Sequence, residues 1–149
     1  MAQIVVADTD IEEQVVSGER VVTVAPHERG ATNLALGLAM LLMNVVNSIE
    51  LASTAARLRI TIARDTKALR SARLGVRWRG NELAAQLSTN QLELCLTFLL
   101  RYLRDGSGDV DHVDLEGERT AEGITTVVLK VPRARPPMSA EEARRELSE

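Results

Sequence analysis

Cysteine occurs once in this 149-residue sequence, at Cys95, so no disulfide can close within the chain and the residue reads as a reduced, buried thiol. Aromatic residues are nearly as scarce. Trp78, Phe98 and Tyr102 are the three present, which leaves leucine, valine, isoleucine and alanine to build the core. That scarcity argues against the stacking platforms that single-stranded nucleic acids and sugars require. Histidine occurs twice, at His27 and His112, far apart in the chain, and neither Cys-x-x-Cys nor His-Glu-x-x-His occurs. No residue is therefore assigned a catalytic role, and neither metal nor cofactor is expected. The most apolar run, residues 34–43, stops at Asn44, about half the roughly 20 residues that a membrane span needs. No basic-then-apolar leader opens the sequence, so the expectation is a cytoplasmic protein with no membrane association.

What is present has globular proportions: 45% hydrophobic and 26% charged residues with a net charge of −3, enough apolar material for one core. The expected organisation is a single α+β domain over residues 1–131. A proline-rich exit (Pro132, Pro136, Pro137) and a charged tail follow over 132–149. Two short β-branched runs, 3–7 and 20–25, flank the turn signal Ser17-Gly18, and Pro26 ends the second. Helix formers dominate from Leu34 to about Ala56, with Thr32 or Asn33 as cap. Asn33, Gly37, Asn44 and Ser48 would form its one polar stripe. Leu58, Ile60 and Ile62 alternate as a half-buried strand does, and residues 65–72 read as a turn or one short helix. The runs 74–79 and 82–87 around Gly80-Asn81 read as a hairpin. Ser88 and Gln91 open a second helix as a capping box. Leu92, Cys95, Leu96, Leu99 and Leu103 form its stripe and Gly106 its stop. Two last strands, 110–116 and 124–131, complete the chain.

The fold expected from these elements is an antiparallel or mixed sheet of six to seven strands, packed by one long apolar helix and one amphipathic helix. Residues 33–42 also align without a gap on residues 91–100, each after a strand pair, as either a ββα duplication or a chance match of two leucine-rich helices would give.

Charge is the least random feature. Residues 57–79 hold Arg57, Arg59, Arg64, Lys67, Arg70, Arg73, Arg77 and Arg79 against Asp65 alone, a candidate surface for a partner or a polyanion. Pairing with acidic residues elsewhere in the chain is the competing account. The segment 26–33 runs from a strand into a helix start, so His27, Arg29, Gly30 and Thr32 form a possible anion loop. Asp105 to Glu116 follows the oxygen spacing of a calcium loop but carries Val110 where the turn needs glycine, so a solvated acidic turn is expected. Asp8 and Asp10 are two carboxylates without a third metal ligand.

The first functional expectation is a non-enzymatic protein-binding module (adaptor, chaperone, inhibitor or immunity-type protein) that also self-associates as a homo-oligomer. It rests on surplus apolar helix surface and sparse catalytic chemistry. The alternatives are nucleic-acid or polyanion binding through 57–79, and a small enzyme using the 26–33 loop.

Overall fold

The computed structural model describes residues 3–53, 57–65, 73–106, 111–120, 123–131, and positions 141, 144 and 145. The fold is α+β. Its elements are β1 (Gln3–Val6), β2 (Thr9–Val16), β3 (Glu19–Pro26), α1 (Glu28–Leu42), β4 (Ser48–Ala52), β5 (Arg59–Arg64), β6 (Gly75–Arg79), β7 (Glu82–Leu87), α2 (Thr89–Asp105), β8 (His112–Glu116) and β9 (Thr125–Lys130). Among the described residues nine strands make two mixed sheets, where one sheet of six to seven strands was expected. The five-stranded sheet runs β1-β4-β5-β7-β6 and the four-stranded sheet β2-β3-β9-β8.

The extra strands come from two places. Residues 9–16 form β2, and the Ser17-Gly18 turn joins β2 to β3 rather than residues 3–7 to β3. The 3–7 run becomes β1, which pairs in parallel with β4 in the other sheet. The long first helix is also shorter than its composition suggests. It starts with His27 as N-cap, before Thr32 or Asn33, and ends at Leu42. Asn44 then turns with φ at 58°, a left-handed conformation that asparagine tolerates, and residues 48–52 continue as strand. The expected polar stripe on that helix does not form: Gly37 is buried and Asn44 and Ser48 lie beyond its end. Residues 66–72, 107–110 and 132–140 lie outside the described residues, and with them all but Asp65 of the turn or short helix read over 65–72, four residues of the calcium-like loop and the proline-rich exit.

The rest follows the sequence closely. Ser88 Oγ accepts the Gln91 amide at 3.2 Å while Gln91 Oε1 accepts the Ser88 amide at 2.9 Å, completing the capping box. Gly106 takes φ at 74° and ends α2. β6 and β7 form the hairpin around Gly80-Asn81.

The chain order ββαββ occurs twice, as β2-β3-α1-β4-β5 and β6-β7-α2-β8-β9. The hairpins are exchanged between the halves. The four-stranded sheet joins the first half's β2-β3 to the second half's β9-β8; in the other sheet β4-β5 joins β7-β6. At the centre of each lies a parallel pair, β3 with β9 and β5 with β7. Register is conserved between the two. Ile60 faces Leu83 and Leu51, and its counterpart Val127 faces Val22 and Leu115.

Burial gives the helix correspondence directly. Ala31, Leu34, Gly37 and Leu38 are buried on α1, and Leu92, Cys95, Phe98 and Leu99 on α2. The gapless alignment in the sequence matches Leu34 to Leu92. The structure matches it to Cys95, almost one turn along, because the core face and not letter identity sets the register.

One core lies between the sheets and the helices. α1 packs on β1, β3, β4 and β5, α2 on β7 and β8, and the helices on each other. Leu34, Leu38 and Leu41 are buried by their own chain. Among the described residues the large apolar side chains left exposed are Leu36, Met43 and Val45 on or just after α1, Leu94 and Leu100 on α2, and Val5, Val15 and Val16 on strands. Away from the helices, Arg20 closes the space between the sheets. Its guanidinium sits 3.4 Å from the Trp78 ring centroid and pairs with Glu13, and Trp78 Nε1 donates to Thr125 Oγ1 at 2.9 Å.

Cys95 sits in this core at 3% exposure, and burial pushes its thiol up to about 12. A thiolate is the reactive form, so native protein should resist thiol reagents until denaturant is added. Labelling of the folded chain at the rate of the unfolded one would contradict this placement. Cys95→Ala is expected to cost only about 1 kcal/mol, the loss of one small packed atom.

Candidate functional site

Because strand side chains alternate, each sheet turns one face to the core and one outward. The outer face of the four-stranded sheet is built in cross-strand rows. Glu12 lies beside Thr23, Thr23 beside Val128, and Val128 beside Asp114. The next row is Gln14, Val21, Thr126 and Glu116. β-branched residues fill the centre, half-buried, with exposed carboxylates at both margins of the first row and, in the second, Gln14 at one margin and Glu116 at the other. At one end Asp10, Glu12, Ala25, His27 and Lys130 enclose a shallow groove of about 260 Å³.

The two histidines both fall near this face. His27 is exposed, its Nε2 3.3 Å from Asp10 Oδ2. His112 has Nδ1 2.7 Å from Asp111 Oδ1 and Nε2 3.9 Å from Asp114 Oδ1. The hydrogen bond to Asp111, followed by the Asp114 charge, raises the His112 pKa above the ordinary histidine value, against the opposing effects of desolvation and of Lys130.

The outer face of the five-stranded sheet has the opposite character. Its rows read Val5, Glu50, Thr61, Ala84, Arg77 and Ala52, Arg59, Glu82, Arg79. Glu82 therefore lies between Arg59 and Arg79, and Arg59 Nη1 is 3.9 Å from Glu50 Oε1.

The basic stretch is thus divided by the fold. Arg59, Arg77 and Arg79 share one outer face, and Arg57 and Arg73 are exposed next to β5 and β6. Lys67 and Arg70 lie outside the described residues. Arg64 is turned to the helices. It donates to the Leu42 carbonyl at 3.2 Å, Asn44 Oδ1 at 3.3 Å and Thr89 Oγ1 at 3.1 Å, tying the end of α1 to the start of α2.

At the 26–33 loop, His27 and Arg29 are exposed, and the Thr32 hydroxyl donates to the Glu28 carbonyl. Gly30 is buried, and a β-carbon there would overlap the Asp8 carbonyl oxygen, so its bareness serves chain packing. Among the described residues no three carboxylate, histidine or cysteine side chains group as a metal site. Asp105 pairs with Arg104 at 2.7 Å, and that hydrogen bond lowers its pKa. A small gap of about 30 Å³ within the core is lined by apolar side chains such as Leu38, Ile60 and Cys95, with no polar group to orient a ligand. No described helix is long and apolar enough to cross a membrane.

Sequence reasoning missed the acidic face, because its carboxylates come from strands at opposite ends of the chain. The weak signal was Asp10-Ile11-Glu12 alternation ahead of the Ser17-Gly18 turn. Comparison with known proteins gives no matching family model and no curated relative.

Proposed function

We propose that this chain is a non-catalytic protein-binding module, of the adaptor, chaperone, inhibitor or immunity type, that docks a basic partner on the outer face of its four-stranded sheet. The observation that carries this is the pair of rows with β-branched centres and three carboxylates, Glu12, Asp114 and Glu116, at their margins, which offers complementary steering for a basic partner. Partner capture with Glu12→Lys plus Asp114→Lys tests it. Loss of the captured protein, with retention by Arg77→Glu plus Arg79→Glu, is the expected result; the reverse pattern overturns the reading.

Binding should also depend on pH. As pH rises through the raised His112 pKa the face loses a positive charge, so affinity for a basic partner increases, and His112→Gln should flatten that change.

A second reading is supported by Arg57, Arg59, Arg77 and Arg79, which together face outward on or beside the five-stranded sheet. Nucleic-acid binding that falls steeply with salt, and is lost in the arginine variants, would replace the first reading with this one. Self-association through Leu36, Met43, Leu94 and Leu100 is a further part of the proposal, and light scattering of a particle that stays at 16.3 kDa across micromolar concentrations would remove it.

A further inference from the structure

The solvent face of α2 is centred on Thr97, which is exposed. Leu94 and Leu100, each 52% exposed, stand three residues before and after it, and exposed Glu93 and Arg101 stand four before and after. Helix geometry puts these five positions on one face. It does not put leucine on both sides or opposite charges at the two ends. About 12 Å of helix separates Glu93 from Arg101, so neither neutralises the other within one chain. Among the described residues neither side chain makes a hydrogen bond or an ion pair. Arg101 does lie near Asp105, whose carboxylate is held by Arg104 at 2.7 Å. The internal repeat, which matches Leu34 to Cys95, puts Leu36 of α1 in the place of Thr97. The positions equivalent to Glu93 and Arg101 are then Thr32 and Met40, so the fold itself does not demand the charges.

We propose that two copies of this chain dimerise through α2, the ridge Glu93–Thr97–Arg101 of one crossing the same ridge of the other about a twofold axis at Thr97. This rests on the self-association put forward above and names its surface and its geometry. Ridges of residues four apart interdigitate when two helices cross at about −50°. With the two ridges running in opposite directions, Glu93 of each copy meets Arg101 of the other. The small Thr97 side chains let the helices approach closely at the axis. Leu94 then packs near its own symmetry mate on one side of the ridge, and Leu100 near its own on the other. A second copy is the occupant because the face is its own complement: reversal about Thr97 exchanges acid for base and leucine for leucine, as a self-matching interface requires. Burial of the leucines drives the association, and the charges fix its register.

The experiment is light scattering of the full chain and of charge-exchanged variants at matched micromolar concentrations. Wild type is expected at twice 16.3 kDa. Glu93→Arg alone, or Arg101→Glu alone, sets like charges against each other at both contacts and should weaken the dimer by tenfold or more. A mixture of the two single variants restores opposite charges at both contacts, as does the double variant, and each should recover the wild-type dimer. Both residues are exposed, so the variants keep the fold, which circular dichroism checks. Single variants that dimerise as wild type does, or a mixture that associates no better than its components, overturn the proposal. A monomeric wild type removes it together with self-association. A dimer that survives the charge variants but is lost in Leu36→Glu keeps self-association, moves it to α1 and refutes the α2 crossing.

Discussion

Gly30→Ala is expected to lower stability by about 3 kcal/mol, an overpacking effect at the upper end of the usual range. It should be read as a fall in the urea midpoint with an unchanged slope. Gly30 lies in the first turn of α1, where any side chain would run into the backbone carbonyl of Asp8. That carbonyl cannot move aside cheaply, because it also accepts the His27 amide at 2.9 Å and thereby holds the residue that caps the helix. The link between β1 and β2 and the start of α1 are seated on each other through this one contact. Thr32→Ala, exposed and close by on the same helix, should stay within about 0.5 kcal/mol. Equal effects from the two variants would show that helix propensity, and not the Asp8 contact, governs the position.

The second large effect is expected at Arg64. Arg64→Gln should cost about 1–3 kcal/mol, since three acceptors from two helix ends lose a charged donor in a half-buried setting. Arg77→Gln and Arg79→Gln, whose side chains lie on an exposed face, should each change stability by less than about 0.5 kcal/mol. Chemical denaturation of the three variants separates them. If Arg64→Gln proves as mild as the other two, the tie between α1 and α2 is carried by packing alone.

Arg64 also shows how a linear charge cluster misleads. In the sequence it is one of eight cations in a row of 23 residues, 57–79, yet strand alternation sends it inward while Arg59 goes outward. Local signals were the legible ones. The Ser88–Gln91 box, the Gly80-Asn81 hairpin and the alternation at Leu58-Ile60-Ile62 are each decided by neighbours within a few residues. β2 was hidden because Asp10, Glu12, Glu13 and Gln14 place polar groups on both faces of an exposed strand, leaving little apolar alternation to detect. β4 was hidden because Val45, Val46, Ile49 and Leu51 keep a helix-like density of apolar residues. The break at Asn44 uses a left-handed asparagine, without the glycine or proline that marks such a stop. The division into two sheets depends on parallel pairs between residues more than a hundred apart, such as Val22 with Val127, and no local pattern encodes those.

Those parallel pairs set how the molecule comes together. Each sheet is completed only when a hairpin from one half meets a hairpin from the other, so neither half owns a finished sheet or a closed core. A partly made chain would hold two helices and four hairpins with unmet central edges, and the favourable energy arrives late, after the longest loops have closed. Folding is therefore expected to be slow for a chain of this size, and unfolding to be one event. A weakness anywhere along β3, β5, β7 or β9 is shared by the whole molecule at once.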